Sequence, residues 1–347
     1  MRIAVCGDVH WSTISSIIRQ RGNEYSERLE NLITSVNWFE NISKEYGCDL
    51  NIYLGDFFDR PDLNSQEISA LTELKWNNNN KIFIVGNHEA NLSSLDYSST
   101  KVFNNINVQG VEIIDKVQTR SVNDKLEFVF IPYTLFNESC DVSKFLNNNG
   151  KKKIIFSHND LADIKYGKFI TTTGISADSI LNNRDCLFFI NGHLHNHLVI
   201  NNKIIMPGNL TGQNFNEDAL RFKHLIYIFD ISDNEISYNE IENPYGFKFY
   251  KLEVNDKSDL GKLDILNKLS VVSIACTKEL YFTVEDKLKN FGVKNYKLYI
   301  VYNENKQLNV DQFKIDNHIT QFIKYAQENL TPSEELSFEL SRLGEVV

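Results

Sequence analysis

Five short tracts of this 347-residue chain carry side chains that could hold metal ions: Asp8/His10, Asp56, Asn87/His88, His158 and His193/His195. Between them they hold five of the eight histidines. Carboxylate, carboxamide and imidazole donors without a thiolate suit borderline-hard ions such as Mn²⁺, Fe²⁺ or Zn²⁺. Asp8-Val9-His10 places two donors two residues apart on one face of an extended segment, and His193-Leu194-His195 does the same from later in the chain. A buried carboxylate needs a cation, a ring of donors or water. A single carboxylate with ligands on either side of it is what two ions roughly 3.5–4 Å apart require. Asp56 is read as that bridging residue.

The elements around these tracts must bring them together. Residues 50–54 form an apolar run broken by one Asn and closed by Gly55, which reads as a buried strand delivering Asp56. Strands are likewise expected at 2–6, 81–85, 154–156 and 186–190, each running into one of the other polar tracts. Loops at one rim of a sheet converge in space, so five such strand ends can build one site. A lone histidine after a strand is ordinarily structural; five clusters at five strand ends point to a centre. Apolar residues at Leu29, Leu32, Ile33, Val36, Phe39 and Ile42 predict a helix over 25–46 stopped by Gly47. A second helix is expected over 65–76, and further strands at 112–117, 126–131, 203–206 and 224–231. The chain changes character after Asp230, with a hairpin across Asp233-Asn234 and a strand at 247–254. Helix, strand, helix, strand then follow to about Tyr302, a small α/β unit. Residues 310–347 read as two amphipathic helices interrupted at Thr331-Pro332.

Composition narrows the class. Hydrophobic residues at 42% and charged residues at 24% are ordinary for a soluble globular protein, and no apolar run is long enough to span a membrane. The first residues read directly into a motif rather than as a signal peptide. Five scattered cysteines without CxxC fit reduced thiols in a cytoplasm and argue against a zinc knuckle. The net charge of −10 argues against broad nucleic-acid binding, although bound cations and a local basic strip can reverse the potential at a site. The Asn runs 77–80 and 147–149 read as turns and as codon bias, a hint of a phage or an AT-rich bacterium.

The tracts GDVH, GDFFD, GNHE, SH and GHLH, in this order, resemble those of the calcineurin-like metallophosphoesterases over about residues 1–230. The resemblance implies an α/β four-layer sandwich, two mixed β-sheets flanked by helices, with a small α/β cap and C-terminal helices. It implies one metal held by Asp8, His10, Asp56 and His195, and another by Asp56, Asn87, His158 and His193. His88 would protonate the leaving oxygen or donate to the transferring phosphate. Glu89 stands where many relatives have Asp; it either orients His88 or is a plain surface carboxylate. Asp59 is a partner of the ligands, a substrate contact or a turn cap.

Within that family, GDFFDRP and the segment Met206–Asn209 followed by Asn214–Glu217 are similar to tracts of SbcD-type and phage recombination endonuclease subunits, relatives of the meiotic recombination eleven nuclease. Asn209 replaces the usual Ser. The resemblance implies a catalytic domain over 1–231, a capping domain over 232–305 and a partner-binding segment over 306–347. It also implies a DNA exo- or endonuclease subunit, dependent on two divalent ions, Mn²⁺ first among them. Such a subunit is a homodimer and docks on an SbcC-like coiled-coil ATPase through the helical stripe Phe313, Ile315, Ile319, Phe322, Ile323, Ala326. No GxxxxGK[ST] tract occurs, so any ATP dependence comes from a partner. Arg19, Arg21, Lys151 to Lys153, Arg221 and Lys223 are candidates for DNA contact. The alternative is a general metallophosphatase acting on phosphoproteins or nucleotides. The expected location is the cytoplasm, the host's if the gene is a phage's.

Overall fold

A computed structural model describes residues 1–301, apart from 16, 17, 19–23, 78, 92, 93, 107, 167, 168, 233 and 234. The 306–347 helices, Arg19, Arg21 and the turn at Asp233-Asn234 lie outside the described residues.

Two six-stranded sheets form the body of the protein. The first runs Ile236–Glu242, Leu225–Ile231, Arg2–Cys6, Leu50–Tyr53, Asn80–Ile84, Val111–Ile114. Its last four strands are parallel, Leu225–Ile231 runs antiparallel to them, and Ile236–Glu242 pairs antiparallel with Leu225–Ile231. The second runs Leu198–Ile200, Ile204–Met206, Cys186–Asn191, Lys152–Ser157, Leu126–Ile131, Gln118–Ser121, with a parallel centre and antiparallel edges.

Strand periodicity sorts the side chains into layers. Ile3, Val5, Ile52, Leu54 and Ile84 pack with Phe128, Phe130, Ile154, Phe156 and Ile190 in one buried cluster between the sheets. The alternate residues Ala4, Cys6, Tyr53 and Phe83 pack on Leu29, Leu32, Val36 and Phe39 of the helix Glu27–Glu45. Each such side chain contributes about 1.5–3 kcal/mol on full burial. Ser26 caps that helix by accepting from Leu29 N, and Gly47, at φ 64°, follows its end. On the outer face of the second sheet, Val129, Ile131, Ile155 and Phe189 meet Ala177 and Ile180 of the helix Ala177–Asn182. The result is the mixed α/β arrangement of two large mixed sheets with helices outside them.

The structure corrects several expected boundaries. Ile236–Glu242 pairs along its whole length with Leu225–Ile231 and so belongs to the first sheet. A division at 231/232 therefore cuts a hairpin, and the small sheet starts at Lys248. The helix expected over 65–76 is Ser65–Ala70 plus a 3₁₀ turn Leu71–Glu73, after which Leu74 turns extended and buries its side chain. The polar edge strand Gln118–Ser121 has no apolar alternation to announce it. The small unit has three parallel strands, Lys248–Val254, Ser270–Cys276 and Asn295–Ile300, and a helix, Tyr281–Asn290, with Leu252, Val254, Ile274, Val284 and Leu288 in its core. Its first expected helix is a 3₁₀ segment, Lys257–Ile265, capped by Asp256. All five cysteine thiols are buried and unpaired. Among the described residues no helix is long and apolar enough to cross a membrane.

Candidate metal centre

The parallel strands of both sheets end on the same rim, and the polar tracts follow those ends. The chain turns sharply there. His10, Asp56 and His193 adopt positive φ, at 51°, 46° and 73°. The Asp-x-His and His-x-His tracts are therefore not extended segments, as their spacing suggested; each bends so that its donors face inward. Hydrogen bonds from other tracts hold these strained residues. Val9 N and His10 N both donate to Asp56 O, at 3.1 and 2.8 Å. His193 N donates to Asp8 Oδ1 and His88 N to Asp56 Oδ1, each at 2.9 Å. Two glycines make room: a Cβ at Gly86 would lie 2.2 Å from Asp56 Oδ1, and one at Gly55 2.3 Å from His158 Nδ1.

At the centre, Asp56 Oδ2 lies 3.1 Å from His158 Nε2 and 3.9 Å from His10 Nε2. Asn87 Oδ1 lies 3.2 Å from His158 Nε2 and 2.9 Å from His193 Nδ1. Two groups of donor atoms, His10/Asp56/His88 and Asp56/His158/His193, each fit within 4.8 Å, and Asp56 belongs to both. The ring of His195 stands 4.9 Å from that of His10, and the ring of His88 4.8 Å from it on another side. Asp8 Oδ2 and His10 Nε2 are buried without a hydrogen-bond partner. Buried lone-pair atoms converging in this way suit cations. The donor set, carboxylate, amide oxygen and imidazole, agrees.

Residues 1–197 match the family model for calcineurin-like phosphoesterases. The chain belongs to that family. A dimetal phosphatase from Danio rerio is among the similar solved structures, at 12% identity and a TM-score of 0.42, covering 70% of this chain and 96% of that one. No curated protein matches.

In this phosphoesterase each inward-facing imidazole is held by its outer nitrogen. His10 Nδ1 donates to Asp59 Oδ1 at 3.0 Å, His158 Nδ1 to Leu54 O at 2.8 Å, His193 Nε2 to Asp160 Oδ1 at 3.1 Å and His195 Nδ1 to Glu217 Oε1 at 3.1 Å. Such partners fix the tautomer and aim the other nitrogen inward. Asp59 thus touches two of these histidines, its carboxylate at His10 and its backbone carbonyl 3.0 Å from His88 Nδ1. Glu89 takes neither of its two expected roles. It is fully buried, accepting from Gly86 N at 2.8 Å and Phe58 N at 3.1 Å, so it braces the loop instead of orienting His88. His88 itself is 43% exposed.

Asp160 and Glu217 were not singled out from the sequence as partners. The one signal for Asp160 is its place two residues after His158; Glu217 lies at the end of the Asn214–Glu217 segment, where nothing in the sequence marks it as a partner. Glu217 also accepts from Asn209 Nδ2, Asn214 Nδ2 and Gln213 N, which ties the loop after Met206 to His195.

Electrostatics follow the geometry. Burial alone would raise the Asp56 carboxyl, but His158, His10 and His88 outweigh it and hold it well below the usual range. Burial disfavours a charged His158, yet Asp56 and Asp8 bring its pKa up to about 9. Burial is also opposed at Asp59, where His10 lowers the carboxyl, and at His195, which Glu217 raises. Burial and then Asp56 push Glu89 up to about 8.

The basic residues proposed for DNA contact fare differently. Lys152 opens the strand that ends before His158, which puts Lys151 to Lys153 roughly 16–23 Å along the strand from His158, at the opposite end of the sheet. Lys153 is buried and donates to Lys151 O and Asn149 Oδ1. Arg221 is exposed, 3.9 Å from Asp218.

Proposed function

We propose that this phosphoesterase hydrolyses phosphodiesters with two divalent ions, and that its substrate is DNA. The observation that carries the two-ion reading is the membership of Asp56 in both donor groups. Asp8, His10, Asp56 and His195 would hold one ion, and Asp56, Asn87, His158 and His193 the other. When bound, such ions acidify water and offset charge on the phosphoryl oxygens. The protein's own residues do the rest. Asp59, Asp160, Glu217 and the Leu54 carbonyl keep the imidazoles aimed, and the bend at Asp56 brings the ligands of both sheets together. His88, beside His10 at the open side of the centre, is placed to donate a proton to the leaving oxygen or a hydrogen bond to the phosphate.

The DNA reading rests on the similarity of GDFFDRP and of the 206–217 segment to SbcD-type tracts, and on the small α/β unit that follows the main sheets. In that reading the chain is a repair or recombination nuclease subunit, a homodimer in the cytoplasm. It uses Mn²⁺ and binds an SbcC-like ATPase through 306–347. A monoester phosphatase would use the same centre. Purified protein with Mn²⁺, assayed on end-labelled single- and double-stranded DNA, bis-p-nitrophenyl phosphate and p-nitrophenyl phosphate, separates the two. Cleavage of DNA and of the diester is expected; activity confined to the monoester would sink the nuclease reading.

A further inference from the structure

One aromatic side chain beside the centre has no part in holding it. Tyr133 follows the strand Leu126–Ile131 of the second sheet, and its ring centroid lies 6.1 Å from that of His193, with the planes tilted by 38°. His88 flanks the His10 side of the centre, so Tyr133 flanks the other. The tyrosine is half-buried, and among the described residues its hydroxyl has no hydrogen-bond partner.

The backbone around Tyr133 is tied down by three hydrogen bonds to two partners, Val85 and Asn159. Tyr133 N donates to Val85 O at 2.9 Å, which links it to the strand leading into Asn87 and His88. Thr134 N donates to Asn159 Oδ1 at 2.8 Å, and Asn159 Nδ2 reaches back to Pro132 O at 3.1 Å. Asn159 is fully buried, adjoins His158 and exchanges hydrogen bonds with Asn191. The ring is therefore held in register with the ligands of both sheets, a degree of fixing that an incidental surface tyrosine does not need.

Its chemistry is that of a neutral donor. A phenolic hydroxyl keeps its proton at neutral pH and can donate it in a hydrogen bond. The imidazole beside it, His193, is already engaged on both nitrogens, with Asn87 Oδ1 and Asp160 Oδ1. An arriving phosphoryl group brings what is missing, an anionic acceptor without a donor on this side.

We propose that Tyr133 is a substrate-contacting residue whose hydroxyl donates to a non-bridging phosphoryl oxygen, across the centre from His88. The inference rests on the phosphoester reading above and adds a second donor to it. A hydrogen bond to a charged acceptor amounts to roughly 10- to 100-fold in binding. The test is titration calorimetry of inorganic phosphate into the manganese-loaded protein, wild type against Tyr133→Phe, with metal content measured on both. The expected result is phosphate affinity lower by about tenfold or more in Tyr133→Phe with metal content unchanged. Phosphate binding equal to wild type, or metal lost from the variant, overturns the assignment. Hydrolysis of bis-p-nitrophenyl phosphate by the wild type is measured separately. Its absence with the phosphate difference intact would count against the diester reading and leave the Tyr133 contact standing.

Discussion

Asp59 holds His10 through its carboxylate, Oδ1 to Nδ1 at 3.0 Å, and in the same loop its backbone carbonyl anchors His88. A carboxylate behind a ligand imidazole raises its basicity and fixes its direction, and removing such a partner costs about 10–100-fold in metal affinity. Asp59→Ala is expected to weaken Mn²⁺ binding by that amount, read by calorimetry. Because the His88 anchor is backbone, Asp59→Asn should recover part of the loss, its side-chain oxygen still accepting from His10.

His88, at 43% exposure, is more open than His195 at 29%, His193 at 20% and the buried His10 and His158, so it can leave without emptying a buried site. His88→Ala is expected to lower kcat by about 10²–10⁴-fold while manganese content stays near normal. Loss of metal and turnover together would make His88 a ligand.

Asp56 serves both donor groups, whereas Asp8 belongs to neither, its Oδ1 occupied by His193 N and its Oδ2 unpartnered. Asp56→Asn is expected to abolish binding of two ions, and Asp8→Asn to weaken mainly one. Stoichiometry by elemental analysis distinguishes them. Two ions bound normally by Asp56→Asn would end the bridging assignment.

Protons and metal compete for His158. Its folded pKa of about 9 lies above the ordinary imidazole value of 6.5. In the metal-free protein the stabilisation from its charged form is therefore full below about pH 6.5 and is lost as pH rises through 9. Metal binding must displace that proton, so its dependence is opposite in sign. Apparent Mn²⁺ affinity should rise up to about tenfold per pH unit toward pH 9 and then level off. Titrations at pH 7, 8 and 9 check the slope; a flat profile would remove His158 from the ligands.

Space at Gly86 is as tightly set as the charges. An alanine Cβ would meet Asp56 Oδ1 at 2.2 Å and Asp56 N at 2.5 Å. Gly86→Ala is expected to cost about 1–3 kcal/mol of stability and to displace Asp56 enough to reduce metal content. Gly261→Ala, which points into open space, is the control for thermal unfolding.

Much of the centre was legible in the chain because strand-end ligands sit in short tracts. GDVH, GDFFD, GNHE, SH and GHLH each announced a donor, and all of those donors meet on one rim. The outer partners were less legible, for a physical reason. Asp160 and Glu217 reach His193 and His195 across 33 and 22 residues of chain, and apart from the place of Asp160 two residues after His158 nothing in their own neighbourhoods distinguishes them from surface carboxylates. Glu89 shows the reverse error. Its position after His88 suggested a partnership, but the loop turns its side chain inward to two backbone N–H groups, Gly86 and Phe58.

What the sequence determined by itself was chemistry and local structure: which side chains can bind a cation, and which alternating runs must be strands with a buried face. Side-chain type and period are local properties, readable residue by residue. What only the tertiary structure decided was direction. The positive φ of His10, Asp56 and His193 turns tracts that look extended into bends. The pairing of Ile236–Glu242 with Leu225–Ile231 moves a domain boundary. The pinning of the turn at Tyr133 by Asn159 brings an aromatic ring beside His193 from a strand that carries none of the candidate ligands. Each depends on a contact between residues distant in the chain, and the energy of such a contact belongs to the pair, so neither partner's sequence surroundings contain it.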